Sequence, residues 1–97
     1  SYVLVGTPDA MQKTFGSTAH GAGRVMSRRA ANNQFNGEEV AASLRKRNIY
    51  VKAASRRGIC EEAPGVYKDI DEVIKATEGA GIAKKIVRLV PLGVVKG

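Results

Sequence analysis

Chemistry in this chain centres on Gly16-Ser17-Thr18-Ala19-His20-Gly21-Ala22-Gly23-Arg24, where the only histidine is flanked by small residues. Glycine neighbours leave room for a phosphate to reach the imidazole and the backbone N–H groups together. Imidazole is nucleophilic near neutral pH, and an arginine four residues on can grip phosphoryl oxygens through two parallel hydrogen bonds. The local pattern is that of a phosphate-handling histidine. Its plain alternative is a turn histidine bonded to backbone, and a Gly-rich loop alone does not separate the two.

The elements around His20 bear on that choice. Residues 24–31 read as a helix, with Val25 and Met26 apolar and Arg24 and Arg28 on one face. A helix starting near Gly23 would aim its free N–H groups and positive dipole end at an anion beside His20. Upstream, residues 2–5 form an apolar, β-branched run ended by Gly6, the pattern of a buried strand. A buried strand at the first residue is unusual and predicts a chain cut from a longer one.

Thr7-Pro8-Asp9 reads as a helix start, with Met11 and Phe15 facing inward and Gly16 as the stop. Asn32-Asn33-Gln34 is a polar break. Asn36 with Glu39 forms a capping box that opens a helix to about Asn48, with Val40, Ala41 and Leu44 inward. Residues 49–53 read as a strand and residues 55–64 as a charged loop. Asp69 with Glu72 caps a helix whose buried face is Ile70, Val73, Ile74 and Thr77, ended by Gly79. Residues 84–92 alternate weakly, and Pro91 confines any strand there to an edge. Strands and helices alternate, so the fold class is α+β, a mixed layered α/β architecture.

At 97 residues there is room for one small core, and 43% hydrophobic residues make it globular. The net charge of +7 lies in the first part of the chain. Through Arg57 there are ten Lys/Arg against three Asp/Glu, whereas the remainder carries six of each. This asymmetry points to a polyanionic partner, RNA or DNA, or else to a solvated basic surface. Cys60 stands alone, which excludes an internal disulfide and fits a reducing compartment. One Cys and one His do not make a metal site by themselves. There is no run of about 20 apolar residues, so no membrane helix is expected.

Several blocks in order resemble the end of an RtcB-type RNA ligase, the tRNA-splicing ligase of archaea, bacteria and animals. They are Ser1-Tyr2-Val3-Leu4-Val5-Gly6, Thr14-Phe15-Gly16-Ser17-Thr18, His20-Gly21-Ala22-Gly23-Arg24 and Met26-Ser27-Arg28. Glu61-Glu62-Ala63-Pro64, Tyr67-Lys68-Asp69 and the closing Pro91-Leu92-Gly93-Val94-Val95-Lys96-Gly97 continue the match, which covers nearly the whole chain.

The resemblance implies an activity. Such ligases use GTP and manganese to join RNA ends bearing a 3′-phosphate or 2′,3′-cyclic phosphate to 5′-hydroxyl ends, as with tRNA halves. His20 would attack the α-phosphorus of GTP and carry GMP as a phosphoramidate. GMP would pass to the RNA 3′-phosphate, and the 5′-hydroxyl would displace it. Ser1, Tyr67 and Lys96 would lie in the guanylate pocket, with Lys96 on the guanine. Gly21, Ala22 and Gly23 would line the nucleotide by their backbone, and Arg24 and Arg28 would hold phosphates of the nucleotide or the RNA terminus. Read without the family, Tyr67 is a packing residue and Lys96 a terminal charge.

Two departures stand out. Ala19 occupies the position where many relatives have Cys. The family's manganese ligands (a cysteine, an aspartate and several histidines) lie upstream of this region. The chain is therefore expected to be the carboxyl-terminal segment of a larger catalytic domain, with residues 1–97 no independent domain and the upstream remainder of the ligase as its partner. Ser1 is compatible with proteolysis, an engineered boundary or an intein junction. A cytoplasmic enzyme is expected. The competing readings are a non-enzymatic basic RNA-binding module and a purely structural fragment.

Overall fold

The computed structural model describes residues 1–96; Gly97 lies outside them, as does the side chain of Lys96. Chain contacts divide the protein into two units, residues 1–23 with 68–90 and residues 24–67 with the segment from Pro91 on. Helices and small sheets of both kinds give the mixed α+β class that the sequence pattern predicts.

In the first unit, strand β1 (Tyr2–Gly6) pairs antiparallel with β3 (Ala83–Arg88), with Tyr2 opposite Arg88 and Gly6 opposite Ala83. The register shifts between Val3 and Leu4, as at a bulge. β1 is not the buried strand its apolar run suggests. Tyr2 and Leu4 are half-buried, whereas Val3 and Val5 are 44% and 49% exposed. A two-stranded ribbon covers only the side on which a helix packs, and alternate side chains point to the other.

That covering helix is α5 (Ile70–Gly79), which packs on β3. Asp69 caps it, its carboxylate accepting from the Asp71 N–H at 2.9 Å. Ile74 and Thr77 are buried as expected, and Ile70 and Val73 are half-buried on the same side. Thr77 satisfies its hydroxyl by donating to the Val73 carbonyl at 3.0 Å.

Helix α1 (Ala10–Thr14) departs from the sequence expectation at both ends. Thr7 does not cap it: its hydroxyl donates to the Gly81 and Ile82 carbonyls, and Asp9 holds the cap position without a side-chain bond. Met11 and Phe15 are 66% and 92% exposed rather than inward. A helix of five residues buries one position, here Ala10, and Phe15 already lies in the left-handed cap region at φ 54°.

The second unit begins in extended backbone, not in a helix. Arg24 forms an antiparallel bridge with Tyr67, and the Val25 N–H donates to the Val66 carbonyl at 2.8 Å. Helix α2 (Arg28–Gln34) starts only after Ser27, whose hydroxyl accepts from the Ala30 N–H at 3.1 Å. The helix start expected near Gly23 therefore lies at Arg28, because a serine cap and the backbone bridge to Tyr67 outweigh the apolar pair Val25-Met26. α2 also runs through the expected break at Asn32; the Asn32 amide donates back to the Arg28 carbonyl.

Helix α3 (Gly37–Lys46) follows the Asn36 cap, which accepts from the Glu38 and Glu39 N–H groups. Strand β2 (Tyr50–Ala53) pairs in parallel with β4 (Gly93–Lys96), Tyr50 opposite Gly93. Between them, the expected loop is a helix, α4 (Arg56–Glu61), followed by a 3₁₀ turn at Pro64–Val66. Ser55 caps α4 by accepting from Gly58 N–H at 3.1 Å, and Cys60 buries its thiol, which donates to the Phe35 carbonyl. The core of this unit is Ala31, Ala63 and Val66, with Met26, Phe35, Val40 and Tyr67 packed around it.

Close approach fixes one glycine. A Cβ on buried Gly37 would stand 2.9 Å from the Arg56 carbonyl oxygen, a backbone atom with no room to retreat. Alanine in a helix gains at most about 1 kcal/mol over glycine, whereas overpacking costs about 1–3 kcal/mol. Gly37→Ala is therefore expected to lower the denaturant midpoint; an unchanged or raised midpoint would show that α4 simply moves aside.

Candidate functional site

In the first unit, His20 sits in non-helical backbone and is exposed, as is Gly21. A Cβ built on Gly21 meets nothing within 4 Å, so one side of the loop is open at the residue next to the imidazole. Gly23 is held by backbone: its carbonyl accepts from the Lys68 N–H at 2.8 Å. The Lys68 side chain passes 3.8 Å from where a Gly23 Cβ would stand. Lys68 thus brings a cation to the histidine loop, a neighbour that sequence spacing does not single out because it lies 45 positions along the chain from Gly23. Ser1 is exposed and tied by its backbone to Leu89, donating to the Leu89 carbonyl at 3.2 Å and accepting from its N–H at 2.8 Å. Ala22 is half-buried.

In the second unit, the Arg24–Tyr67 bridge draws a polar cluster together. The Arg24 guanidinium donates to the Met26 carbonyl at 3.1 Å and the Glu61 carbonyl at 2.7 Å. It also donates to the Tyr67 hydroxyl at 3.4 Å and stands 3.7 Å from the Glu62 carboxylate. Its central carbon lies 5.3 Å from the Tyr67 ring centroid, within cation–π range. The Tyr67 hydroxyl in turn donates to Glu62.

That hydrogen bond is the main reason the Tyr67 phenol titrates above its ordinary value, with burial and the Glu62 charge adding to it and Arg24 opposing. Tyr67 therefore keeps its proton at working pH. Glu61 ties α4 to α2, accepting from the Asn32 amide at 2.8 Å and pairing with Arg28 at 3.6 Å.

The structure thus groups Arg24 with Tyr67, as neighbours in one network, and adds Glu61, Glu62 and Asn32, which sequence reasoning left unassigned as site residues. Their signal was faint: acidic side chains in a basic chain, in the block Glu61-Glu62-Ala63-Pro64. Arg24 spends its guanidinium on protein groups, while Arg28 keeps a side chain 69% exposed. The role expected of the Lys96 side chain falls outside what is described. Among the described residues, no three His, Cys, Asp or Glu side chains are grouped so as to hold a metal ion. No described helix is long and apolar enough to cross a membrane.

The α+β scaffold thus carries an exposed histidine followed by a glycine with open space beside it. A family model described as tRNA-splicing ligase RtcB matches residues 1–97, and the chain belongs to that family. It is 57% identical over its whole length to the tRNA-splicing ligase RtcB of Pyrococcus abyssi and 58% identical to that of Methanopyrus kandleri. It is also 57% identical to the RNA-splicing ligase RtcB of Mycobacterium tuberculosis. The chain spans only 11%, 10% and 22% of those three proteins.

Proposed function

We propose that this segment supplies the nucleophile of an RNA ligase that joins 3′-phosphate or 2′,3′-cyclic phosphate ends to 5′-hydroxyl ends at the cost of GTP, acting on tRNA halves. The observation that carries the reading is His20, exposed in a loop whose next residue leaves space for a phosphate. Its imidazole attacks the α-phosphorus of GTP; the new P–N bond replaces the bond to pyrophosphate, which leaves. The GMP moves to the RNA 3′-phosphate, regenerating the imidazole, and the 5′-hydroxyl then displaces GMP as the RNA bond forms. Splitting one hard displacement into steps is what a nucleophilic side chain contributes.

Gly21, Ala22 and Gly23 present backbone to the nucleotide. Ser1, Tyr67 and Lys96 are assigned to recognition of the guanylate, and Arg28, with its exposed guanidinium, to phosphates of the nucleotide or RNA end. The same reading gives Arg24 a phosphate, for which it would first have to release its carbonyl partners. A manganese requirement belongs to the whole ligase in this reading. The described residues do not by themselves form a metal site.

The test is the site of covalent attachment. A full-length ligase carrying this segment is incubated with α-labelled GTP and manganese, and the labelled peptide is sequenced by mass spectrometry. GMP on His20 is the expected result. An adduct on another side chain, or none, would overturn the reading and favour the basic RNA-binding module, for which RNA affinity would fall with salt and ignore GTP.

A further inference from the structure

We propose that the end of α3 and the outward side of β2 form a docking surface for single-stranded RNA. Tyr50 offers its ring to a base, and Arg45, Lys46 and Lys52 offer charge to the flanking phosphates. The surface lies wholly within the second unit, and it rests on the ligase reading for the choice of RNA as partner.

The sequence supplies the charge. From Val40 to Cys60 the chain carries six Lys/Arg and no Asp/Glu. Arg56 is spent on Glu38 at 2.6 Å, and Arg47 lines the cavities beside α3. Arg45, Lys46 and Lys52 are exposed, and no carboxylate among the described residues pairs with them.

β2 has two unlike sides, as the alternation of a strand requires. Val51 and Ala53 line a cavity of about 280 Å³ together with Leu44, Ile49, Ile59 and Val94. Tyr50 and Lys52 take the opposite side, and Tyr50 is 59% exposed. Their partners on β4 are Gly93 and Val95. Gly93 has no side chain to crowd the tyrosine, where a Cβ would stand 3.8 Å from the Tyr50 Cβ.

Local backbone joins the helix end to the strand. The Asn48 N–H donates to the Arg45 carbonyl and the Ile49 N–H to the Leu44 carbonyl, both at 2.9 Å. Asn48 takes the left-handed conformation, φ 59°, that such helix ends use. The chain passes from α3 to β2 across residues 47–49, so the cations of the last helical turn and the outward pair of β2 leave one short segment.

Cations at a helix C-terminus complement the helix dipole, which accounts for Arg45 and Lys46. It does not account for an exposed phenol ring two residues before a lysine on the same side of a strand. An aromatic face beside cations suits unpaired bases and their phosphates, and stacking accepts any base. A duplex keeps its bases stacked, so a single strand is the form that fits.

The probe is a single-stranded oligoadenylate with a 3′-phosphate, bound to a full-length ligase carrying this segment. Affinity is read by fluorescence anisotropy over a range of salt. Each variant is first shown to take GMP on His20, a step without RNA, so that a loss of affinity is not a loss of fold. Tyr50→Ala is expected to weaken binding about five- to 150-fold, and Tyr50→Phe, which keeps the ring, to retain most of the affinity. Lys46→Ala and Lys52→Ala are each expected to reduce the slope of log affinity against log salt by about 0.7.

Lysine acetylation read by mass spectrometry tests the surface without any variant. Lys46 and Lys52 of the free parent enzyme are expected to react, and bound oligoadenylate to protect them. Unchanged affinity and salt slope in the variants would overturn the proposal. So would Lys46 and Lys52 that are already unreactive in the free enzyme, because another part of the ligase would then cover this face. A parent enzyme that takes no GMP on His20, yet gives the same protection, would overturn the ligase reading and leave the surface standing.

Discussion

His20→Ala in a full-length ligase carrying this segment is expected to abolish formation of the GMP adduct, with a loss of at least about 10⁴-fold in the guanylylation rate. Alanine offers no atom that can take up the GMP, so the effect is chemical and not a matter of affinity. The substitution is also mild for the fold. His20 is exposed and lies outside every helix and strand, so the variant should melt with the parent enzyme. Joining of an RNA end supplied with GMP already attached to its 3′-phosphate should survive the change, because in the proposed scheme that substrate enters after the histidine's step. Retention of label in the variant, or loss of both steps together with a lowered melting temperature, would contradict the assignment.

Arg24→Ala is the second large effect, and stability is where it should appear. The guanidinium is about three-quarters buried, donates to two backbone carbonyls and faces the Glu62 carboxylate at 3.7 Å. Truncation leaves the Met26 and Glu61 carbonyls short of a donor and removes the Arg24 charge from beside Glu62. Bonds from a charged donor are worth about 1.5–3 kcal/mol each, and water entering the gap returns part of that. A net loss of about 2–4 kcal/mol in unfolding free energy is expected, read by denaturant titration. Arg24→Lys should recover only part of it, since an ammonium lacks the planar fork that spans both carbonyls. If Arg24→Ala left stability unchanged while RNA joining collapsed, the guanidinium would belong to a phosphate instead.

Exposed apolar side chains fit a segment that is a minor part of its relatives' length. Phe15, Leu92 and Val95 are more than 80% exposed, and Val3, Val5, Ile86 and Val87 line the ribbon's outward side. Scattered apolar exposure is ordinary on any surface, but so many large side chains in 97 residues is a heavy share.

Local chemistry was legible in the sequence. The caps at Asn36 and Asp69, the buried positions Ile74 and Thr77 and the strand around Val51 follow from residue type and spacing, because a helix cap and its first turn lie within a few residues. The serine caps at Ser27 and Ser55 were equally local but were masked. Arginines follow each, and glycine interrupts the second, so the residue pattern places α2 four residues early and reads α4 as loop. The i, i+4 pair Met11 and Phe15 predicts a buried face only if something stands opposite it, and nothing in the sequence supplies that partner.

The proposed nucleophile, His20, needs no fold to be noticed: a lone histidine set among glycines is a property of the chain itself, as are its basic first half and its family blocks. What only folding decided is how the charges near Tyr67 are spent. Arg24, Glu61, Glu62 and Tyr67 meet because the Val25–Val66 backbone bond and the small Ala31–Ala63–Val66 core bring together segments some forty residues apart. Hydrogen bonds act over about 3 Å, so their partners are set by tertiary packing and leave almost no trace in linear spacing.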